Sequence, residues 1–227
     1  MRQLTTALAA LICISIAGCA SSIGNAESPT TTKTLIPRPL VERELVGLLL
    51  NPDQVNAAMG TTGMAVTGQQ SEMSNDSSTM APPECLAIDG AAEAPVYADS
   101  GFWAERDQSM NNGDKFTHYL KQALVLFPTV EKAAEFVDVS AQRWPACHEF
   151  THTQSGTNWT VGQISNVDDA LSVTATEQDA AAPGWGCGRA LTHQNNIVID
   201  VNTCSADPAD SAVRIARQLA DNVKARW

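Results

Sequence analysis

The stretch GCGRALTHQNNIVIDVNTC, from Gly186 to Cys204, reads as two strands around a two-residue turn. Asn195 and Asn196 separate the runs Gly186 to Gln194 and Ile197 to Cys204, and Asn tolerates the positive φ that tight hairpin turns use. In that register Gln194 faces Ile197, and stepping away from the turn brings Cys187 opposite Cys204. The pair falls on a non-hydrogen-bonded position, where Cα atoms stand about 4.5 Å apart. That lies at the near edge of the disulfide range of about 4.4 to 6.8 Å. The same register places Ala190, Ile197, Ile199 and Val201 on one face, as a buried face requires.

A bridge needs an oxidising compartment, and the N-terminus supplies one. Met1-Arg2-Gln3 precedes a stretch from Leu4 to Ala17 without charge, too short for a membrane span and typical of a secretory signal. It ends at Ile16-Ala17-Gly18-Cys19, which resembles a bacterial lipobox: an aliphatic residue, two small residues, then Cys. The resemblance implies cleavage after residue 18, with diacylglycerol on the Cys19 sulfur and further acyl chains of the palmitate kind. Such chains hold a protein on a membrane, each buried CH2 contributing about 0.8 kcal/mol.

The cysteines then sort themselves. Of the six, Cys13 leaves with the signal and Cys19 takes lipid. Outside the cytoplasm the remaining four imply two disulfides. With Cys187–Cys204 set by register, Cys85–Cys147 is the other pair. No CxxC pair suggests a zinc ribbon or a thioredoxin-like motif. Loss of the signal removes one cation, Arg2, and takes the formal net charge from −11 to −12. An acidic chain is a poor partner for nucleic acid, whose affinity comes from Lys and Arg on phosphate.

Residues 19–36 form a lipidated Ser/Thr-rich tether, and 37–227 the folded domain. Val41, Leu45, Leu48 and Leu49 have helical spacing, and Asn51-Pro52 caps and starts a second short helix that Gly60 stops. A polar stretch at 61–83 reads as a long mobile loop. Tyr97 to Trp103, Lys115 to Phe127, Trp159 to Ile164 and Leu171 to Thr176 read as strands. Val130, Ala133, Ala134, Val137, Ala141 and Trp144 mark a helix between Pro128 and Pro145. A closing helix, capped by Asp207 with Pro208 at its first position, carries Ala212, Ala216, Leu219, Ala220 and Val223 on one stripe. This order predicts an α+β fold: a twisted antiparallel sheet packed by helices, with two disulfides.

Trp144-x-x-Cys147, Trp159-x-Val-Gly162, Trp185-x-Cys187, the valine-rich strand, Cys204 and the closing helix form an ordered set, with Cys85, Tyr97 and Phe127-Pro128 upstream. The set resembles the extracellular sensor domain of mycobacterial PknH-type Ser/Thr kinases, a domain also found in mycobacterial lipoproteins. The resemblance spans roughly Pro37 to Trp227. It implies an α+β domain with two disulfides and a ligand groove, and brings no catalytic residues and no cofactor.

His148-Glu149-Phe150-Thr151-His152 matches the H-E-x-x-H pattern of zinc peptidases. That chemistry needs a helix, which brings i and i+4 to about 6 Å. On a strand they stand roughly 13 Å apart. Pro145 and the run Thr151, Thr153, Gly156 disfavour a helix there. There is no G-x-S-x-G and no phosphate-binding Gly loop. Asp168-Asp169 reads as a solvated turn, and His118 and His193 as strand residues without ligand spacing. Tyr97, Phe102 and Trp103 are the candidate groove residues, while Trp144 and Trp185 read as packing on the disulfides.

The expectation is a non-enzymatic, lipid-anchored protein on the extracytoplasmic face of the cell membrane, binding a small molecule, a glycolipid or an envelope protein. A structural lipoprotein without a small ligand, and a zinc hydrolase using His148, Glu149 and His152, are the alternatives.

Overall fold

The structure is a computed structural model that describes residues 38–226. The Cys19 lipid site and its tether lie outside the described residues.

In chain order, a 3-10 helix at Glu42–Leu48 is followed by α1 (Pro52–Met59), β1 (Ala65–Gln70) and β2 (Met80–Ala81). Two single-turn helices come next, α2 (Leu86–Asp89) and α3 (Ala94–Tyr97), then β3 (Ala104–Asn111) and β4 (His118–Leu126). After α4 (Val130–Arg143) come β5 (Glu149–His152), β6 (Thr157–Val161), β7 (Ser165–Val167) and β8 (Ala170–Glu177). The chain ends with β9 (Gly186–Gln194), β10 (Ile197–Ser205) and α5 (Ser211–Lys224). The strands form one antiparallel sheet in the order β1-β3-β4-β10-β9-β8-β6-β5-β2, with β7 paired to β8.

β10 is central and buried along its whole length, because helices cover both sides. On one side Leu124, Ala190, Ile197, Ile199 and Val201 pack under Ile215, Leu219 and Val223 of α5, together with Leu45, Leu48 and Val55. On the other, Val125, Leu171, Val173, Leu191 and Val198 meet Ala133, Val137 and Trp144, with Ile88 and Tyr97 beside them. The period-two alternation of β10 assigns its residues to these two cores in turn.

The hairpin stands in the expected register: Gln194 faces Ile197, Cys187 faces Cys204, and Asn195 has φ 54°. Both disulfides are present, Cys187–Cys204 with Cα atoms 4.1 Å apart and Cys85–Cys147 with 5.0 Å. Asn51 caps α1 by accepting from the Gln54 N–H, and Gly60 ends it with φ 66°.

Several sequence expectations are corrected. Tyr97 to Trp103 is not a strand: Pro95 opens the turn of α3, and Asp99 and Gly101 take positive φ (62° and 76°), which no strand accommodates. The strand begins at Ala104, in a run whose polarity concealed it. The 61–83 stretch contributes two strands instead of one long loop. β1 is an edge strand with little burial, so its Gly68, Gln69 and Gln70 cost it no core contact. Asp207 does not cap α5. Ala209 takes φ 43°, outside helical geometry, and the helix starts at Ser211 with Asp210 at its N-cap. Val130 is 39% exposed rather than part of the buried stripe of α4.

Candidate functional site

α2 and α3 lie on the same side of the sheet as α4, and all three contribute to one hydrophobic core. Their facing flanks leave a groove. It consists of two adjoining cavities of about 240 and 440 Å3 that share Ala87, Val96, Arg143 and Trp144. Phe136 and Val139 line one cavity, Pro83, Leu86 and Pro95 the other. Trp144 is 2% exposed and forms the floor. Polar groups line both cavities: Asp99, Ser100, Ser140 and Lys132 paired to Glu135 at 2.6 Å in one, Glu84 and Gln142 in the other, with Arg143 in both.

The floor is anchored from behind by a buried ion pair. Arg189 reaches Asp200 at 2.6 Å, with both side chains at most 3% exposed. Arg189 also donates to the Val201 and Ala87 carbonyls, and its guanidinium lies 5.7 Å from the Trp144 ring centroid. The other Asp200 oxygen accepts from the Tyr97 hydroxyl (3.0 Å) and the Ala92 N–H (2.9 Å). Burial first, and the Asp200 charge second, push the Tyr97 hydroxyl well above its ordinary pKa. This network ties α2 and α3 to the sheet and so fixes one wall of the groove.

A second buried cluster lies further along the same face. Glu105 and Asp107 both point inward from β3, Lys121 stands 3.3 Å from Asp107, and Lys121 donates to Ser74 at 2.6 Å. Glu93 accepts from the Asp76 N–H. Counting side chains nine-tenths buried, Glu93, Glu105, Asp107 and Asp200 face only Lys121 and Arg189. Arg189 answers Asp200 and Lys121 answers Asp107, which leaves Glu93 and Glu105 to hold protons. Burial, with Asp107 adding to it, pushes Glu105 up to about 8. Burial, with Asp76 nearby, pushes Glu93 up to about 7.

The three aromatic candidates part company. Tyr97 is 1% exposed, stacks on Phe136 at 4.2 Å and meets Phe102 edge-on at 6.0 Å. These two support the Phe136 wall from behind. Trp103 stands on the surface, 69% exposed, away from the groove lining.

The H-E-x-x-H residues lie on and just before β5, not on a helix, so His148 and His152 lack the one-turn spacing that a shared zinc requires. His152 instead contacts Asp89 at 2.7 Å, which raises its pKa. Trp144 packs among Cys85 and Cys147, and Trp185 against Phe116 at 6.3 Å. Asp168 and Asp169 form the β7–β8 turn with φ 53° and 60°. The buried residues that sequence reading missed, Glu93, Glu105, Asp107, Arg189 and Asp200, sit in segments that read as ordinary polar or alternating strand. The Glu105, Asp107 alternation is a signal visible only once β3 is known to be covered on both sides.

Comparison with known proteins then gives a consistent result. The model of the PknH-like extracellular domain matches residues 40–222. The serine/threonine-protein kinase PknH of Mycobacterium bovis is 34% identical over 192 residues, which is 82% of this chain and 32% of the kinase. PknH of Mycobacterium tuberculosis is likewise 34% identical over 192 residues, 82% of this chain and 30% of the kinase. The chain thus spans about a third of the length of these relatives. The crystal structure of the extracellular domain of PknH from Mycobacterium tuberculosis matches with TM-score 0.78 and 33% identity, covering 83% of this chain and 99% of that one.

Proposed function

The chain belongs to the PknH-like extracellular domain family, and from that premise we propose that it is a non-catalytic, sensor-like binding domain. It is held on the outer face of the cell membrane by lipid on Cys19 and takes its ligand in the groove between α4 and the α2–α3 segment. The observation that carries this reading is the groove itself, where the Trp144 floor and apolar Phe136, Val139, Leu86 and Pro95 stand beside charged and amide side chains in both cavities. That mixed lining suits a ligand that carries both apolar and polar groups, such as a small amphiphile or an envelope glycolipid. The match to an extracellular domain, and not to a kinase catalytic domain, supports the absence of an enzymatic role. The Ile16-Ala17-Gly18-Cys19 motif supports the lipid anchor.

The test is mass spectrometry of small molecules that co-purify with the native protein, repeated on Val96→Trp. Val96 lines both cavities, so an indole there fills them. Native protein should carry a ligand and the variant should not, while the two melt within a few degrees of each other. Native protein without any co-purified molecule, and without a thermal shift across envelope extracts, would refute the binding role.

A further inference from the structure

Among the described residues, seven large apolar side chains are exposed, and four of them, Val41, Trp103, Val130 and Val167, lie at one end of the sheet. Strand register shows this. The Asn195-Asn196 turn marks the end, and Ile197 faces Leu126, which faces Ala104. Trp103 precedes that position and donates its backbone N–H to Leu126, while Val130 follows four residues after Leu126. The Thr192 hydroxyl donates to the Asp169 carbonyl at 2.7 Å, which brings the β7–β8 turn and Val167 to the same end. The Asn195 side chain donates to the Arg38 carbonyl, and the Asn196 side chain bonds the backbone of Leu40, so the first described residues enter here too.

Single exposed apolar residues are ordinary on protein surfaces. A tryptophan 69% exposed is not, when Trp144 and Trp159 are at 2% and 5%, and here it shares one end with three valines. The chain that leads from this end to Cys19 reaches at most about 65 Å when fully extended, at roughly 3.5 Å per residue. A connection of that length lets the lipid on Cys19 reach the membrane whichever surface of the domain faces it, so the surface itself decides the choice.

Resting on the lipid-anchored reading above, we propose that this end of the sheet lies against the bilayer surface, with the Trp103 indole in the headgroup layer. An indole combines a broad apolar ring with one N–H donor, and so favours that layer. Most cations of this end are paired, Arg38 to Glu44 at 2.6 Å, Lys132 to Glu135 at 2.6 Å and Arg217 to Asp168 at 2.9 Å. The exposed Arg43, unpaired among the described residues, is outweighed by the exposed Asp99, Glu131 and Asp169. Contact is therefore made through apolar side chains to zwitterionic lipid, not through charge to anionic lipid. Asp99, Ser100 and Lys132 of the groove wall flank the same end, four residues or fewer from Trp103 or Val130.

The experiment uses the full lipidated chain in phosphatidylcholine vesicles, with acyl chains brominated or not, and compares it with W103F and C19A. Flotation reports the anchor. The difference in emission between wild type and W103F reports Trp103. Wild type and W103F should float and C19A should not, and brominated lipid should cut the Trp103 emission at least twofold. If wild type floats and that emission is unquenched, the orientation is wrong and the anchor stands. If wild type does not float, both fall. If Trp103 becomes shielded as protein concentration rises in detergent without vesicles, a second copy covers this end and the proposal is overturned.

Discussion

Replacing Glu105 by Gln should make the protein more stable at alkaline pH and leave it nearly unchanged at pH 5. Glu105 is 1% exposed, neither carboxyl oxygen has a hydrogen-bond partner, and its folded pKa is raised to about 8 from an ordinary 4.5. The folded protein therefore holds a proton that the unfolded chain releases above pH 4.5. Stability is full below that value and falls as pH rises, by up to about 1.4 kcal/mol per pH unit, until the folded carboxyl also ionises near 8. Over that window the loss is on the order of 3 to 5 kcal/mol. Gln keeps the shape of the protonated side chain and cannot ionise, so the variant escapes this loss. At roughly 2 to 4 °C per kcal/mol for a domain of this size, it should melt on the order of 6 to 20 °C above wild type at pH 8.5. Thermal unfolding followed by circular dichroism from pH 4.5 to 9, under non-reducing conditions, reads the effect. A melting-temperature difference that does not change with pH would show that Glu105 ionises normally, and that the charge count of the buried cluster is mistaken.

The other expected outcomes are simpler. Asp200→Ala leaves Arg189, the Tyr97 hydroxyl and the Ala92 N–H without their buried partner, and should cost about 3 to 5 kcal/mol in urea unfolding. Opening Cys187–Cys204, with sequence separation 17, should cost about 3 kcal/mol by the loop-entropy relation, and opening Cys85–Cys147, with separation 62, about 4 kcal/mol. Paired Cys→Ser variants compared by urea unfolding check that order. Asn196→Ala removes side-chain bonds to Leu40 and to the Phe127 carbonyl. It should cost about 2 kcal/mol and increase amide exchange at Leu40 without loosening β9 or β10.

Much of this molecule is legible in its sequence where the signal is local. The 186–204 hairpin has a fixed turn, a period-two pattern and a Cys pair that agree on one register. Asn51, Pro52 and Gly60 bound α1 by backbone chemistry that needs no neighbours. The α4 and α5 stripes repeat at helical spacing because each helix must bury one side. Local pattern misleads where polarity disagrees with tertiary position. AERDQSMN gives little strand signal, yet it pairs between β1 and β4 with Glu105 and Asp107 turned inward. Aromatic Tyr97 to Trp103 looks like a strand, yet two left-handed residues break it.

The amino-acid order alone thus determined the hairpin register, both disulfides, the α+β class and the family resemblance, since each rests on spacing along the chain. Only the tertiary structure decided that Trp144 floors a groove while Trp103 faces solvent, and that two carboxyls more than the available cations are sealed on one face. Those facts depend on which side of the sheet each helix covers. Covering sets burial, and burial sets both the shape of the groove and the protonation of what lies beneath it.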